Sequence, residues 1–319
     1  MRILIVGTGV IGSIYGWALS KKHEVYHYVR EEKLSQLNHY VRNVDMIDER
    51  RNENEQQVKE KYEYRCVNQI KDYYDFIMIP TSYEQMLSVL KELKQKVNQG
   101  RYYIMASNWK GTDEIEQILK KEEYVLGYAG GGGTICKEND RETIWANIGA
   151  DYMLGMLYKE QKPLYEVVKG VFAECNFIPE ETENIVHKLW IHNIDSAALG
   201  AMLLKYQNME QMLNDKKAIE LCFQAMNEEF EMAGKRGVSL EHFPEVAMYQ
   251  MDFETLYQMF YQNMKENPVM KRYTAHAEKS VKEMIYNLHE IYKSGKQMGY
   301  EMPLTKKILE MIDFDAKLE

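Results

Sequence analysis

The segment ILIVGTGVIGSIYGWALS, residues 3–20, opens with a short apolar run, continues through closely spaced glycines and ends in a helical pattern. Gly7 permits a tight turn, Gly9 lets a ligand approach the backbone closely, and Gly12 lets a helix pack on the preceding strand. A helix that begins in such a turn presents free N–H groups and a partial positive charge at its N-terminus. The stretch predicts a strand–turn–helix unit that binds the pyrophosphate of a dinucleotide; the alternative is a glycine-rich turn without a ligand.

The first half of the chain alternates short β-branched or aromatic runs with charged, helix-like segments. This alternation is typical of parallel strands joined by crossover helices. The predicted strands are residues 3–6, 24–29, 76–80, 102–106 and 124–128, and the predicted surface helices are residues 83–97 and 112–121. We therefore predict an α/β N-terminal Rossmann domain over residues 1–178, with a doubly wound, mostly parallel sheet.

The second half loses the strand pattern after Pro179. Long amphipathic stretches rich in Met, Leu, Glu and Lys then run almost to the C-terminus, as helices of a globular domain do. Two of these helices are predicted over residues 184–205 and 277–298. The pattern predicts an all-α C-terminal domain over residues 179–319.

Composition excludes several classes of function. The 319 residues carry 40 Lys and Arg against 49 Asp and Glu, and this net charge of -9 provides no general attraction for nucleic acid or an anionic membrane. The four cysteines form no close pair, so the sequence indicates neither a zinc site nor a disulfide framework. No apolar run has the length of a signal sequence or a membrane span, and we predict a cytoplasmic protein without a metal site.

The end of the second predicted strand bears on the cofactor. An NAD-preferring site usually has an Asp or Glu here for the ribose 2′-hydroxyl, but this chain reads Tyr-His-Tyr-Val-Arg over residues 26–30. The missing acid and the guanidinium of Arg30 favour the 2′-phosphate of NADP(H). Glu31 and Glu32 follow at once, and Arg30 as an ordinary surface cation is the alternative.

Two further segments have no evident chemistry. Residues 48–65 are nearly continuous charge and amide, which predicts a solvated hairpin or helix, or else a partner-binding insertion. The run Gly130-Gly131-Gly132-Gly133 has wide backbone freedom and is compatible with a close approach to a ligand, a mobile lid or a plain flexible connection.

The opening residues 1–16, followed by His-Glu-Val at 23–25 and Val-Arg at 29–30, resemble the start of the ketopantoate reductase family. Three later segments are similar to that family in the same order: Ser-Asn-Trp-Lys-Gly at 107–111, His-Lys-Leu at 187–189, and Lys-Glu at 282–283, twenty residues before Pro303. The resemblance spans nearly the whole chain, with a small insertion between Pro268 and Glu283.

The resemblance implies a function in the pantothenate pathway: NADPH reduces a 2-keto acid to a 2-hydroxy acid in a cleft between a Rossmann domain and a helical domain of the 6-phosphogluconate dehydrogenase C-terminal type. It implies that Asn108 lies beside the nicotinamide and substrate, that Lys188 is the proton donor, and that Glu283 holds the substrate hydroxyl. Together with the glycine turn, the expected cofactor contacts are Gly7, Thr8, Gly9, Val10, Ile11, Gly12, Arg30, Thr81 and Asn108.

Several positions depart from the family pattern. His192 and Ser196 stand where the family commonly has two asparagines, and Val269 replaces a serine before Met270. Ser82 occupies the position of a lysine that often assists the 2′-phosphate. Because these polar contacts differ, we expect a substrate other than ketopantoate.

Without the resemblance, the residues leave alternatives open. Lys188, His192 and Ser196 recur every fourth residue and share one face of the predicted helix, where a cation suits the charge that develops on a reduced carbonyl oxygen. A protonated His192 could pair with a substrate carboxylate, with Ser196 as a neutral donor. Equally, Lys188 could be a surface lysine with a buried stem, His192 a hydrogen-bonded structural histidine, and Glu283 a solvated helix charge.

Three functions therefore compete at this stage. The first is an NADPH-dependent 2-keto acid reductase, the second a β-hydroxy acid dehydrogenase, and the third a catalytically silent NADPH-binding sensor or interaction protein. The expected partner is a small keto acid rather than nucleic acid or membrane. The oligomeric state is left open, with a homodimer as one option.

Overall fold

The computed structural model describes residues 1–70, 73–97, 100–138, 141–180 and 182–312. The chain packs as two compact units. The first comprises Met1–Ser107 and Gly111–Val186, and the second comprises Asn108–Lys110 together with the chain from His187 onward. The first unit thus runs past residue 178, where we predicted the domain boundary from sequence.

The strands of the described residues all belong to the first unit. They are β1 Arg2–Val6, β2 Glu24–Tyr28, β3 Val41–Asp48, β4 Gln57–Glu63, β5 Cys66–Val67, β6 Phe76–Ile79, β7 Tyr102–Met105, β8 Tyr124–Tyr128, β9 Gly131–Glu138, β10 Arg141–Ile148, β11 Asp151–Gly155 and β12 Ile178–Glu180. Eight of them form one sheet in the order β12-β11-β8-β7-β6-β1-β2-β5, and the other four form a second sheet in the order β4-β3-β10-β9.

The eight-stranded sheet confirms the predicted α/β class. All of its neighbouring strands run parallel except β11, which pairs antiparallel with β8. The five predicted strands correspond to β1, β2, β6, β7 and β8. Ile3, Leu4 and Ile5 on the central β1 are completely buried, as expected for a parallel sheet covered on both faces.

We did not predict the second sheet. A hairpin was, however, one of the alternatives that we considered for residues 48–65. β3 pairs antiparallel with β4, and Val58 and Tyr62 point inward from β4 while Lys59 and Lys61 are exposed. The charges therefore form the solvated face of a hairpin, because side chains alternate between the two faces of a strand.

The four-glycine run is not a flexible loop, because Gly131–Glu138 forms β9 and pairs with β10. A Cβ on Gly131 would lie 2.7 Å from the Asn147 carbonyl oxygen, and one on Gly133 would lie 2.4 Å from that of Trp145. These glycines allow close approach of backbone to backbone, rather than of backbone to a ligand.

The helices are α1 Val10–Leu19, α2 Glu31–Leu37, α3 Tyr83–Lys96, α4 Asp113–Glu116, α5 Lys162–Glu174, α6 Ile185–Met202, α7 Met209–Leu213, α8 Lys216–Lys235, α9 Pro244–Met248, α10 Phe253–Glu266, α11 Pro268–Lys279, α12 Val281–Gln297 and α13 Pro303–Met311. The chain from His187 to residue 312 contains only helices and connecting turns, which confirms the predicted all-α region. The helices predicted over 184–205 and 277–298 correspond to α6 and α12. None of the described helices combines the length and hydropathy that a membrane crossing requires.

Candidate functional site

The glycine-rich turn lies between β1 and α1, as predicted. Gly7 has φ +82°, a left-handed conformation that favours glycine, and its N–H donates to the carbonyl of Tyr28 at 2.9 Å. Gly9 is the N-cap of α1, and no side chain caps the helix there. Because the first N–H groups of a helix have no partner within the helix, this turn has the donors that a phosphate requires.

The space around the three glycines matches their expected roles. A Cβ added to Gly7 or Gly9 would meet no protein atom within 4 Å, so both positions border open space. A Cβ on Gly12 would instead lie 3.1 Å from the Gly7 carbonyl oxygen and 3.3 Å from the Ile5 side chain. Gly12 therefore lets α1 pack on β1, whereas Gly9 leaves room in front of the turn.

A polar network that we did not predict stabilises the glycine-rich turn through the Thr8 carbonyl. The Arg42 Nη1 group, on β3, donates to the Thr8 carbonyl at 2.7 Å and to the Tyr64 hydroxyl at 2.8 Å, and Arg42 Nε pairs with Glu142 at 2.6 Å. The Tyr64 hydroxyl in turn donates to Ser13 Oγ on α1. Arg42 follows no motif, and only the pairing of the second sheet brings it to the turn.

His27 on β2 holds the neighbouring carbonyl. Its Nδ1 lies 2.7 Å from the Gly7 carbonyl oxygen and its Nε2 lies 2.7 Å from the Tyr62 hydroxyl. Burial lowers the pKa of His27 to about 4, so the ring is neutral at pH 7. Because a carbonyl only accepts, the proton lies on Nδ1 and the Tyr62 hydroxyl donates to Nε2.

The other predicted cofactor residues of the first unit lie in two places. Thr81 follows β6, and its Oγ1 is buried without a hydrogen-bond partner, as a hydroxyl beside a missing ligand would be. Arg30 is exposed at the N-terminus of α2 and lines a cleft of about 590 Å³ beside the end of β2. Further lining residues of this cleft are Glu31, Glu32, Asn68, Glu92 and Lys96. Open glycine space, unpaired helix N–H groups and an orphaned hydroxyl fit a bound dinucleotide.

Lys188 lies in the second unit, on α6. Its Nζ donates to Glu245 Oε1 on α9 at 3.1 Å, and both side chains are about one-fifth exposed. The helix begins after Asn184, whose Oδ1 accepts from the Val186 N–H. Lys188, His192 and Ser196 share a face because they are spaced by four residues. The Lys188 ammonium is thus paired with a carboxylate from a distant segment of the chain.

His192 is not the cation that we considered for the substrate carboxylate. Burial first, and then the Lys188 ammonium, lower its pKa to about 4. An imidazole with this pKa is neutral at pH 7 and offers only neutral hydrogen bonds. Ser196 Oγ donates to the His192 carbonyl at 3.1 Å. On the next turn of this face, burial raises the pKa of Asp195, which accepts from the Tyr249 hydroxyl at 2.6 Å.

Asn108 is buried and belongs, with the two residues that follow it, to the second unit. Trp109 Nε1 donates to Ser294 Oγ at 2.8 Å, and Lys110 Nζ lies 3.6 Å from Glu290 Oε2. Both partners lie on α12. Glu283, which is half-buried, precedes them at helical spacing and shares their face. The buried Asn287 occupies the turn between Glu283 and Glu290.

The predicted residues therefore fall into separate groups. The turn, Arg30 and Thr81 lie in the first unit, whereas Asn108, Lys188, His192, Ser196 and Glu283 lie in the second. Within the second unit, Lys188, His192 and Ser196 lie on α6. Glu283 lies on α12, together with Glu290 and Ser294, which contact Lys110 and Trp109. Sequence reasoning missed Glu245 and Tyr249, because no local spacing connects α9 and its C-cap with α6. It also missed Asp195, which lies on α6 itself and meets Tyr249 only in the folded chain.

Comparison with known proteins supports the resemblance. Residues 3–146 match the family model described as ketopantoate reductase PanE/ApbA. A 2-dehydropantoate 2-reductase from Geobacter metallireducens GS-15 superposes with a TM-score of 0.72 at 15% identity, covering 99% of this chain and 100% of that one. The ternary structure of D-mandelate dehydrogenase with NADH and anilino(oxo)acetate gives a TM-score of 0.69 at 13% identity, with 98% and 97% covered.

A third similar structure is the dimeric ketopantoate reductase from Staphylococcus aureus, with a TM-score of 0.68, 11% identity and 98% of each chain covered. These low identities show the fold alone. No curated protein matches the sequence. The match of residues 3–146 to the ketopantoate reductase family model confirms the resemblance seen in the sequence.

Proposed function

We propose that the protein reduces a 2-keto acid to a 2-hydroxy acid with NADPH as the hydride donor. The observation that carries this proposal is the turn from Gly7 to Gly12, with open space in front and unpaired helix N–H groups, at the start of the segment that matches the model of this reductase family. D-mandelate dehydrogenase, a similar fold, has been solved with NADH and an oxo-acid ligand, which supports a nicotinamide cofactor and a substrate of this class.

A bound nicotinamide cofactor would supply a hydride to the carbonyl carbon. The residues of the second unit would act on the negative charge that develops on the carbonyl oxygen. Lys188, which is ion-paired with Glu245, donates a proton to that oxygen as the C=O double bond becomes the C–O single bond of the hydroxyl. Lys188 is then a neutral amine, which solvent reprotonates. The Glu283 carboxylate accepts a hydrogen bond from the new hydroxyl. The Asn108 amide orients the substrate.

The neutral His192 argues for a substrate other than ketopantoate. A ring with a pKa of about 4 and a serine replace two amide side chains, so the donors available to substrate oxygens change. Each buried substrate oxygen left without its donor costs about 1–3 kcal/mol. We therefore propose that ketopantoate turns over less efficiently than another 2-keto acid.

Cofactor preference is proposed as NADPH, through Arg30 and the 2′-phosphate. One observation favours NADH as the alternative: three carboxylates, Glu31, Glu32 and Glu92, line the same cleft as Arg30 and Lys96. Glu92 also lies 2.7 Å from Lys96 Nζ, which neutralises one of the two cations.

The test combines binding and turnover. NADPH and NADH are titrated by the fluorescence of the reduced nicotinamide, and a panel of 2-keto acids, ketopantoate included, is then assayed with the tighter cofactor. We expect NADPH to bind more tightly and at least one 2-keto acid to be reduced. Binding without turnover of any keto or β-hydroxy acid would support the silent sensor, and turnover of β-hydroxy acids alone would support the dehydrogenase alternative.

Assembly and location complete the proposal. The Staphylococcus aureus relative is dimeric, and we propose a homodimer for this chain, to be checked by light scattering. A place in the cytoplasm is proposed from sequence composition.

A further inference from the structure

The Thr8–Gly9 peptide of the glycine-rich turn is bound at its carbonyl and open at its N–H. The Thr8 carbonyl accepts from Arg42 Nη1 at 2.7 Å and from Ser13 Oγ at 3.1 Å. A trans peptide group is planar, so its N–H points away from its own C=O. The two bonds therefore direct the Gly9 N–H away from Arg42 and Ser13. No acceptor for this N–H lies among the residues that the structure describes, and a Cβ on Gly9 would meet no protein atom within 4 Å.

The side chain of Arg42 is itself held in place. The residue is 7% exposed, its Nε donates to Glu142 at 2.6 Å, and its guanidinium carbon lies 5.0 Å from the ring centroid of Tyr64. Arg42 lies on β3 and Glu142 on β10, which are neighbours in the second sheet. A charged donor on a carbonyl also polarises the peptide group and strengthens its N–H as a donor. The second sheet thus places a fixed cation on the carbonyl side of the peptide whose N–H faces open space.

We propose that Arg42 is a positioning residue for the dinucleotide cofactor, because it directs the Gly9 N–H toward the pyrophosphate. A phosphate oxygen beside Gly9 accepts this N–H together with the first N–H groups of α1, which have no partner within the helix. His27 acts on the preceding peptide in the same way, through its bond of 2.7 Å to the Gly7 carbonyl. Arg42 acts through the backbone and does not touch the cofactor. This inference rests on the nicotinamide cofactor of the proposed function.

Arg42 could instead serve only to hold the second sheet against α1. Its loss would then weaken the fold, and NADPH binding would change no more than after the loss of any comparable buried arginine. Arg50 is the matched control, because its side chain is 7% exposed against 8% for Arg42, and it also pairs with a carboxylate, Asp48, and donates to a carbonyl, that of Cys175. The partners of Arg50 lie outside the turn.

The experiment follows the signal of a single amide. Thr8–Gly9 is the only Thr–Gly pair in the sequence, so protein labelled with carbonyl-¹³C threonine and ¹⁵N glycine gives one carbon-coupled amide signal, that of Gly9. We expect NADPH to move this proton signal downfield in the wild type, because the N–H then donates to a phosphate oxygen. The NADPH affinity of each protein is measured by calorimetric titration, and its folding by a thermal melt.

The variants separate positioning from folding. Arg42→Met keeps the length of the side chain without its donors, and it should lose most of the downfield shift. It should also bind NADPH at least about 10-fold more weakly, since one charge-assisted bond to phosphate is weakened or lost. Arg42→Lys, which keeps a cationic donor, should retain part of the shift and of the affinity. Arg50→Met should retain the whole shift and the affinity of the wild type, even where its melting temperature falls.

An unshifted Gly9 signal in the wild type would overturn the inference, and so would equal losses of affinity in Arg42→Met and Arg50→Met. If Arg42→Met does not fold, the wild-type signal and the Arg42→Lys variant decide. The amide signal needs no turnover, so a shift that depends on Arg42 without reduction of any keto acid would refute the proposed reductase alone. Reduction of a keto acid with NADPH by a wild type whose Gly9 signal does not move would refute the role of Arg42 alone.

Discussion

The substitution Gly9→Ala is expected to weaken NADPH binding while the protein still folds. Gly9 has φ −65°, which alanine adopts without strain, and the added Cβ meets no protein atom within 4 Å. The fold should lose only the difference between glycine and alanine at an N-cap, about 1 kcal/mol or less. The methyl group would, however, fill the space through which a pyrophosphate approaches the helix N–H groups. Loss of one such charge-assisted bond costs about 1.5–3 kcal/mol, which lowers NADPH affinity about 10- to 100-fold.

The assay is calorimetric titration of NADPH together with a thermal melt of the same samples. Gly170→Ala is the matched control, because a Cβ there also meets nothing within 4 Å, but the position lies in α5. Gly12→Ala provides the opposite pattern, since its Cβ would lie 3.1 Å from the Gly7 carbonyl oxygen and should lower the melting temperature. If Gly9→Ala binds NADPH as the wild type does, phosphates do not occupy this turn and the reasoning fails.

Three further expectations concern specificity, the substrate hydroxyl and acid stability. Arg30→Ala should reduce the preference for NADPH over NADH, measured as the ratio of their Kd values; an unchanged ratio would remove Arg30 from the 2′-phosphate site. Glu283→Gln should act mainly on KM for the keto acid, because its carboxylate orients the substrate oxygen, and a loss confined to kcat would assign it another role. The pKa of His27 falls from 6.5 to about 4 on folding, so the unfolded chain binds the extra proton between these values. The contribution of His27 to the free energy of unfolding is therefore fully present above about pH 6.5. The free energy of unfolding should fall by about 3 kcal/mol through this residue as the pH falls to 4. Urea unfolding at several pH values checks this, and an equally steep decline in His27→Gln would contradict the assignment.

Five strands of the main sheet were predictable because they are short β-branched or aromatic runs, whereas the short β5 and β12 and the antiparallel β11 were not predicted. Runs such as Phe76–Ile79 and Tyr102–Met105 are too short for a buried helix, and they lie between helix-like segments, so a strand is the favoured interpretation. The second sheet escaped prediction because β4 reads QVKEKYE, with a single face buried, and because β9 opens with glycines. Glycine lowers strand propensity, and only the close backbone of β10 explains its presence.

The candidate site was predictable only where spacing along the chain carries the information. The glycine turn is local, and the face shared by Lys188 and His192 follows from helical periodicity. The contacts that determine their chemistry come from distant segments: Arg42 reaches the turn from β3, and Glu245 reaches Lys188 from α9. The low pKa of His192 likewise depends on burial, which no local pattern reveals.

The most direct test of the central claim is the rate of keto acid reduction by Lys188→Ala, measured with NADPH affinity on the same protein. If Lys188 donates the proton, kcat with the best 2-keto acid should fall by about 10²–10⁴-fold, the usual contribution of a positioned general acid, while the Kd for NADPH is unchanged. A near-normal kcat would contradict the account, because the proton would then have to come from another group.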